Sequence, residues 1–207
     1  MKDFKILDFM MDVETLGVED RALIFQVSAV AFDLKTGETF QEFDKLISPQ
    51  SAVQAGLKTT ASTVDWWMKQ KQEVIEGVLI KAMREGLDIR VVLTDFSKYI
   101  QETKDANKAT QIRVWSNGFD NAWLFESYYA TSLPLPYQFF CCQDVRSLVD
   151  IGRRDMFMDP KKTVEFTGKP HDAIDDCKHQ IKYVCEISRR IRELQTFHHF
   201  NSKKEQK

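Results

Sequence analysis

Long apolar runs are missing from this chain. No stretch approaches the ~20 apolar residues that cross a bilayer, so no membrane span is expected. The apolar start is broken by Lys2, Asp3, Lys5 and Asp8, so no signal peptide is expected either. Cysteine is scarce. The four are Cys141, Cys142, Cys177 and Cys185, and none forms a C-x-x-C pair. That argues against a disulfide framework or a thiolate zinc module. Adjacent Cys141 and Cys142 suit a buried strand, and reduced thiols point to a cytoplasmic protein. An excess of one charge sign is also missing: 29 Lys and Arg face 31 Asp and Glu, for a formal net charge of −2. The basic balance of a non-specific nucleic-acid binder is therefore absent. This does not exclude such a partner, because a site of several carboxylates lowers total charge while bound metal ions reverse it locally.

What is present is ordinary globular composition, 43% hydrophobic and 29% charged over 207 residues. It fits one domain, residues 1–200, followed by a frayed tail, 201–207. No internal repeat or linker divides the chain. Phe4 to Glu14 reads as a buried strand, with Met10 and Met11 in its core. Gln26 to Leu34 reads as a second strand and Thr39 to Ile47 as a third, joined by the turn Lys35-Thr36-Gly37-Glu38. Ser48-Pro49-Gln50 ends this antiparallel meander. Ser62 is expected to cap a helix from Thr63 to Gly77, with Asp65 completing a capping box. Leu93, Phe96 and Ile100 recur at helical spacing within Val91 to Glu102, and Gln101 to Thr110 reads as a loop. A strand, Ile112 to Ser116, leads through Asn117-Gly118 into a helix from Phe119 to Ala130. Tyr137 to Cys142 reads as a fifth strand, Val145 to Ile151 as a helix, and Gly152 to Lys169 as irregular. A last helix covers Asp172 to Phe197. This order predicts an α/β fold, a mixed sheet with an antiparallel meander and α-β crossovers, flanked by helices.

Three acidic stretches interrupt this pattern. Asp12 and Glu14 stand two apart at the end of a strand, so both project from one face. Two converging carboxylates need a cation or a shared proton; the alternative is a strand-end turn with solvated acids. Asp120 opens a helix, where an acid also complements the dipole. Asp176 opens the last helix five residues after His171, and otherwise is an exposed charge on an amphipathic face. Strand ends and helix starts on one edge of an α/β sheet meet in space. Four acids and one histidine brought together there offer oxygen ligands suited to Mg²⁺ or Mn²⁺. Two such ions, roughly 3.5–4 Å apart, clamp an in-line phosphoryl displacement, and a histidine suits proton removal from the attacking water.

Asp12-Val13-Glu14-Thr15, Phe119-Asp120 and His171-Asp172-Ala173-Ile174-Asp175-Asp176, in that order, resemble the DEDDh branch of the DnaQ-like (RNase T-like) 3′→5′ exonucleases. Ser62 to Trp67, Val114 to Gly118 and Gln143 to Arg146 are similar to the small phage exodeoxyribonuclease A group and a related mycobacterial exoribonuclease. The blocks span most of the chain. The resemblance implies a ribonuclease H-like fold and stepwise release of nucleoside monophosphates from single-stranded DNA or RNA 3′ ends. It implies that Asp12, Glu14, Asp120 and Asp176 hold two Mg²⁺ or Mn²⁺ ions and that His171 is the general base, with Asp175 a solvated neighbour. It extends to this chain the homodimer seen among relatives. Leu16 departs from the threonine many members carry, and the loop before Asp120 is shorter than in relatives.

Thr15, Leu16, Trp66, Trp67, Asn117, Phe119 and Arg146 are the candidate substrate contacts. Consecutive Trp66 and Trp67 point about 100° apart on a helix. One belongs in the core; the other either stacks on a terminal base or also packs inward. Phe119 is more often core than a base wedge. Arg146 is either a bidentate phosphate donor or half of a surface ion pair. Arg153, Arg154, Lys161, Lys162 and Lys169 form either a rim that attracts the substrate backbone or a solvated loop with interleaved acids. His198 and His199 are given no metal role. The reading that results is a metal-dependent 3′→5′ exonuclease, with DNA favoured over RNA because no reader of the 2′-OH is evident. The rivals are an exoribonuclease, a non-catalytic nucleic-acid-binding module and a partner-binding domain whose acids only cap helices. A module that had lost catalysis would be expected to lack one of the five site residues, and all five are present.

Overall fold

The computed structural model describes residues 5–204, and side chains for 5–196. Five strands form one sheet: β1 (Ile6–Thr15), β2 (Ile24–Phe32), β3 (Thr39–Leu46), β4 (Gln111–Ser116) and β5 (Cys142–Asp144), in the order β3-β2-β1-β4-β5. β1 pairs antiparallel with β2, which pairs antiparallel with β3. β4 lies parallel to β1 and β5 parallel to β4. The meander and the parallel crossovers are those expected from the order of elements.

The near-continuous apolar run of β1 has a physical reason: helices cover both faces of the sheet. Leu7, Phe9, Met11 and Val13 enter the larger core with Val92, Leu93 and Phe96 of α5 (Ile89–Ala106) and Leu124 and Tyr128 of α6 (Asp120–Thr131). Met10 faces the other way, into a second core with Cys177, Ile181 and Val184 of α9 (Ala173–Lys204) and Val145 and Val149 of α7 (Val145–Met156). Asp8 shares the α9 side. It is 3% exposed, and Arg113 Nε at 2.7 Å and Trp115 Nε1 at 2.7 Å both donate to it.

Several boundaries differ from the sequence reading. Ser48-Pro49 does not merely end the meander. Ser48 caps α1 (Pro49–Gln54), with proline at the first turn, where its missing N–H is no loss. Ser62 lies inside α2 (Ala61–Met68), which Thr60 precedes as N-cap without a side-chain cap bond. The chain then restarts as α3 (Gln72–Val74), widens into a π-helical stretch (Ile75–Ile80) and closes as α4 (Lys81–Glu85). α5 absorbs the expected loop as far as Ala106, because Thr103 is buried and keeps the amphipathic face going. Tyr137 to Cys142 is not a strand: Phe139–Cys141 is a 3₁₀ turn, only Cys142–Asp144 pairs, and Cys141 and Cys142 are half-buried. Within the expected irregular segment, α7 continues to Met156 and α8 (Pro160–Thr163) adds one turn. α9 runs on to Lys204, past the expected start of the tail; residues 205–207 and the side chains of His198 and His199 lie outside the described part.

Candidate active site

The carboxyl ends of β1, β4 and β5 lie side by side, with Ser116 opposite Asp144 in the parallel register. Each strand end delivers part of one cavity of about 360 Å³. Asp12, Glu14, Asp120, His171 and Asp176 all line it, together with Val13, Asn117, Arg146, Lys161, His179, Gln180 and Tyr183. Acids from three distant stretches of sequence therefore share one space. Single oxygen atoms of Glu14 and Asp176 and a ring nitrogen of His171 lie within 4.8 Å of one another. Asp12 and Asp120 complete the acidic wall.

Asp12 and Glu14 reach this space because strand alternation turns both toward α9. Asp12 is 8% exposed, and Gln180 Nε2 donates to its Oδ1 at 2.9 Å. Burial first, then repulsion from Asp120 and Asp176, pushes its carboxyl well above the usual range, against the pull of the Gln180 bond. Glu14 is raised in the same way, by burial and then by Asp12, Asp176, Asp120 and Asp172. Asp120 sits at the start of α6, where its Oδ2 accepts from the backbone N–H of Asn117 at 3.0 Å. Burial nevertheless pushes it up to about 7, opposed by that bond and by Arg146. Asp176 is pushed up to about 6 by burial and the neighbouring Asp172 and Asp175. Four carboxylates that resist ionisation together are a site that a divalent cation would stabilise. Gln180 Oε1, buried beside them, adds an acceptor that has no donor among the described residues. The donor set is carboxylate oxygen, which fits a hard cation such as Mg²⁺ or Mn²⁺.

His171 stands just before α9 in the left-handed region, φ 61°, a conformation that costs energy outside glycine. The loop is fastened to the sheet: Gln26 Nε2 donates to Asp172 Oδ1 at 3.3 Å, and the Ala173 N–H donates to Gln26 Oε1 at 3.4 Å. Asp175 is not a solvated neighbour. Its Oδ2 accepts from the Lys169 N–H at 2.8 Å, and it packs on Gly168, whose φ of 134° and closeness to Asp175 leave no room for a Cβ. The rings of Trp66 and His171 meet perpendicular to each other, 4.9 Å between centroids. Partial burial lowers the pKa of His171, so the ring favours the neutral form that can accept a proton.

The other candidate contacts divide. Trp67 is 1% exposed, and its Nε1–H donates to Thr15 O at 2.9 Å, so it is core. Trp66 is 42% exposed and lines a second cavity of about 300 Å³ with Thr15, Val18, Ser62, Thr63 and the buried Trp67; Val13 and Glu14 belong to both cavities. The Thr15 hydroxyl donates to Gly17 O. Leu16 is buried in the core and lines neither cavity. Phe119 is not core: it is 64% exposed, tilted against Trp123, and lines neither cavity. Arg146 turns into the acidic cavity, its Nε donating to Asn117 Oδ1 at 2.9 Å and its guanidinium lying over Gly118, where a side chain would collide. Sequence reasoning missed Gln180, His179 and Tyr183. Gln180 was within reach of it, since it follows Asp176 by one helical turn on the same face.

A family model described as the 3′-5′ exoribonuclease Rv2179c-like domain matches residues 7–188. The exodeoxyribonuclease of Enterobacteria phage T4 is 30% identical over 80 residues, and the match covers 35% of this chain and 35% of the phage protein. Among solved structures, the nuclease domain of 3′hExo, a DEDDh family member bound to rAMP, has a TM-score of 0.59 at 14% identity, covering 93% of this chain and 94% of that one. Cell-death related nuclease 4 has a TM-score of 0.63 at 14% identity, with 92% and 64% covered. E. coli exonuclease I in complex with a dT13 oligonucleotide has a TM-score of 0.62 at 12% identity, with 93% and 43% covered. At these identities the structural likeness shows the fold, which is the ribonuclease H-like α/β architecture expected from the sequence.

Proposed function

This chain belongs to the 3′-5′ exoribonuclease Rv2179c-like domain family, and we propose that it is a divalent-metal-dependent 3′→5′ exonuclease that removes nucleoside monophosphates from single-stranded ends, DNA at least as readily as RNA. The observation that carries this reading is the convergence of Asp12, Glu14, Asp120, Asp176 and His171 on one cavity from three separate segments.

In this reading Asp12, Glu14, Asp120 and Asp176 hold two Mg²⁺ or Mn²⁺ ions. When bound, such ions neutralise charge on the phosphoryl group and on the departing 3′ oxygen. The chain's own residues do the rest. His171, neutral and half-buried, accepts the proton of the attacking water as its oxygen bonds to phosphorus. The bond from phosphorus to the 3′ oxygen breaks on the opposite side, and that oxygen takes a proton from solvent water to leave as a hydroxyl. Trp66 offers a face to the terminal base in the second cavity, where stacking contributes roughly 1–3 kcal/mol whatever the base. The Arg146 guanidinium, which among the described residues donates to Asn117 and to no carboxylate, faces the phosphate side.

The preference for DNA rests on the lack of an evident 2′-OH reader; the family description and the DNA enzyme of the phage pull in opposite directions. End-labelled DNA and RNA of one sequence, incubated with Mg²⁺, with Mn²⁺ and with chelator at one salt concentration, decide it. Comparable rates with metal and none with chelator support the proposal. RNA degraded more than about tenfold faster, about 1.4 kcal/mol in the barrier, transfers the assignment to an exoribonuclease.

A further inference from the structure

Besides the acids, His171 and the amides of Asn117 and Gln180, the same cavity is lined by two cationic side chains, Arg146 and Lys161, and by the ring of His179. They come from the start of α7, from α8 and from α9. None of the three lines the neighbouring cavity of Thr15, Ser62, Thr63 and Trp66, which meets the acidic one at Val13 and Glu14. A terminal nucleoside seated against Trp66 puts its phosphodiester among the acids. The strand must then leave on the side that does not belong to the aromatic cavity.

Resting on the exonuclease reading above, we propose that Lys161 and His179, with Arg146, form a subsite for the phosphate one nucleotide upstream of the scissile bond. The site thereby selects oligonucleotides over single phosphodiesters.

Lys161 is placed for this by a built turn. Pro160 is buried, Asp159 caps α8, and Arg153 grips Asp159 at 3.2 Å. The next residue, Lys162, pairs with Asp159 at 3.9 Å. Among the described residues Lys161 makes no such pair, although it borders a cavity that holds four carboxylates. His179 is fixed between Phe166 and Tyr183 by edge contacts of 5.0 and 5.3 Å. Its Nδ1 is buried with no hydrogen-bond partner among the described residues. Burial and the nearby positive charges of Lys182 and Lys161 lower its pKa, so near neutral pH it is an uncharged ring with one N–H to give. One cation, one neutral donor and the planar guanidinium of Arg146 match the non-bridging oxygens of a phosphodiester.

The test compares two substrates on the full chain with Mn²⁺. The p-nitrophenyl ester of thymidine 5′-phosphate has one phosphodiester and nothing upstream; a thymidylate pentamer has upstream phosphates. Lys161→Ala should lower kcat/KM for the pentamer relative to the ester by about tenfold, chiefly through KM, the loss of one charge-assisted bond at an exposed position. The dependence of log KM on log salt should weaken by about 0.7, as for one lost phosphate contact on a single strand. Lys161→Arg should restore most of the ratio, and His179→Ala should lower it in the same direction. Lys161 is exposed, so the two Lys161 variants fold. Equal losses on both substrates, or no change in the ratio, overturn the subsite. A wild-type protein that hydrolyses neither substrate overturns the exonuclease reading itself, and the subsite with it.

Discussion

Asp120→Asn separates a metal ligand from a helix cap. A carboxylate that only complements the start of α6 stabilises the fold, and its loss weakens it. The structure puts Asp120 in the opposite position. It is 6% exposed and pushed up to about 7 by burial, despite the Asn117 N–H and Arg146. The gap between about 4 in the unfolded chain and about 7 in the fold amounts to about 4 kcal/mol at pH above both values. The sign follows from proton uptake. Between the two values the folded state keeps a proton that the unfolded state has released, so metal-free stability falls as pH rises from about 4 to about 7 and stays low above that. Asn removes the penalty. Its amide oxygen can still accept from Asn117, and the lost charge at the helix start costs about 0.5–1 kcal/mol. A net gain of about 2–3 kcal/mol, or about 5–10 °C in Tm for a chain of this size, is expected at pH 8 without metal. The gain should vanish near pH 4. Calorimetric melts with chelator across that range measure it, and single-strand degradation with Mg²⁺ should fall by orders of magnitude in the same variant. A variant less stable than wild type at pH 8, or equally active, refutes the reasoning.

Four further substitutions divide the roles of the remaining groups. His171→Ala should lose about 10²–10⁴ in turnover while keeping Mn²⁺ affinity by titration calorimetry; because His171 lies within 4.8 Å of Glu14 and Asp176 oxygens, a loss of affinity matching that of Asp12→Ala would make it a ligand instead of the base. Gln180→Leu removes the donor that holds Asp12, so Mn²⁺ affinity should drop about 10–100-fold with little change in metal-free Tm; unchanged affinity contradicts this. Trp67→Ala should destabilise the fold by about 3–5 kcal/mol, whereas Trp66→Ala should fold normally and raise KM for strands about tenfold; the reverse pattern would exchange core and base platform.

Much of this was legible because strands and motifs announce themselves through period. Asp12 and Glu14, two apart at the end of a run buried on both sides, had to share a face, and a mixed sheet with a meander and crossovers followed from three strands in succession and two strands spaced by helices. What was lost is local competition. Ser48-Pro49 carries the same residues whether it ends a strand or starts a helix, and only the tertiary position of Leu87, bonded to Ser48, decides. The π-helical stretch has no signature distinct from an α-helix. Phe119 looked apolar enough for the core, yet Asp120 must point inward, which turns its neighbour out. Asp175 and Asp176 differ in role because a glycine at Gly168 lets the loop close on one of them, a contact that spacing along a helix does not reveal.

The most direct measurement uses a single strand labelled at its 5′ end, a copy carrying a 3′ phosphate, and a circular strand, each with Mg²⁺ and with chelator. Attack from a free 3′ end predicts a ladder that shortens one nucleotide at a time in Mg²⁺ alone, strong slowing by the 3′ phosphate and an untouched circle. Cleavage of the circle, or an equal rate in chelator, would contradict the assignment of this acidic cavity to metal-dependent 3′→5′ hydrolysis.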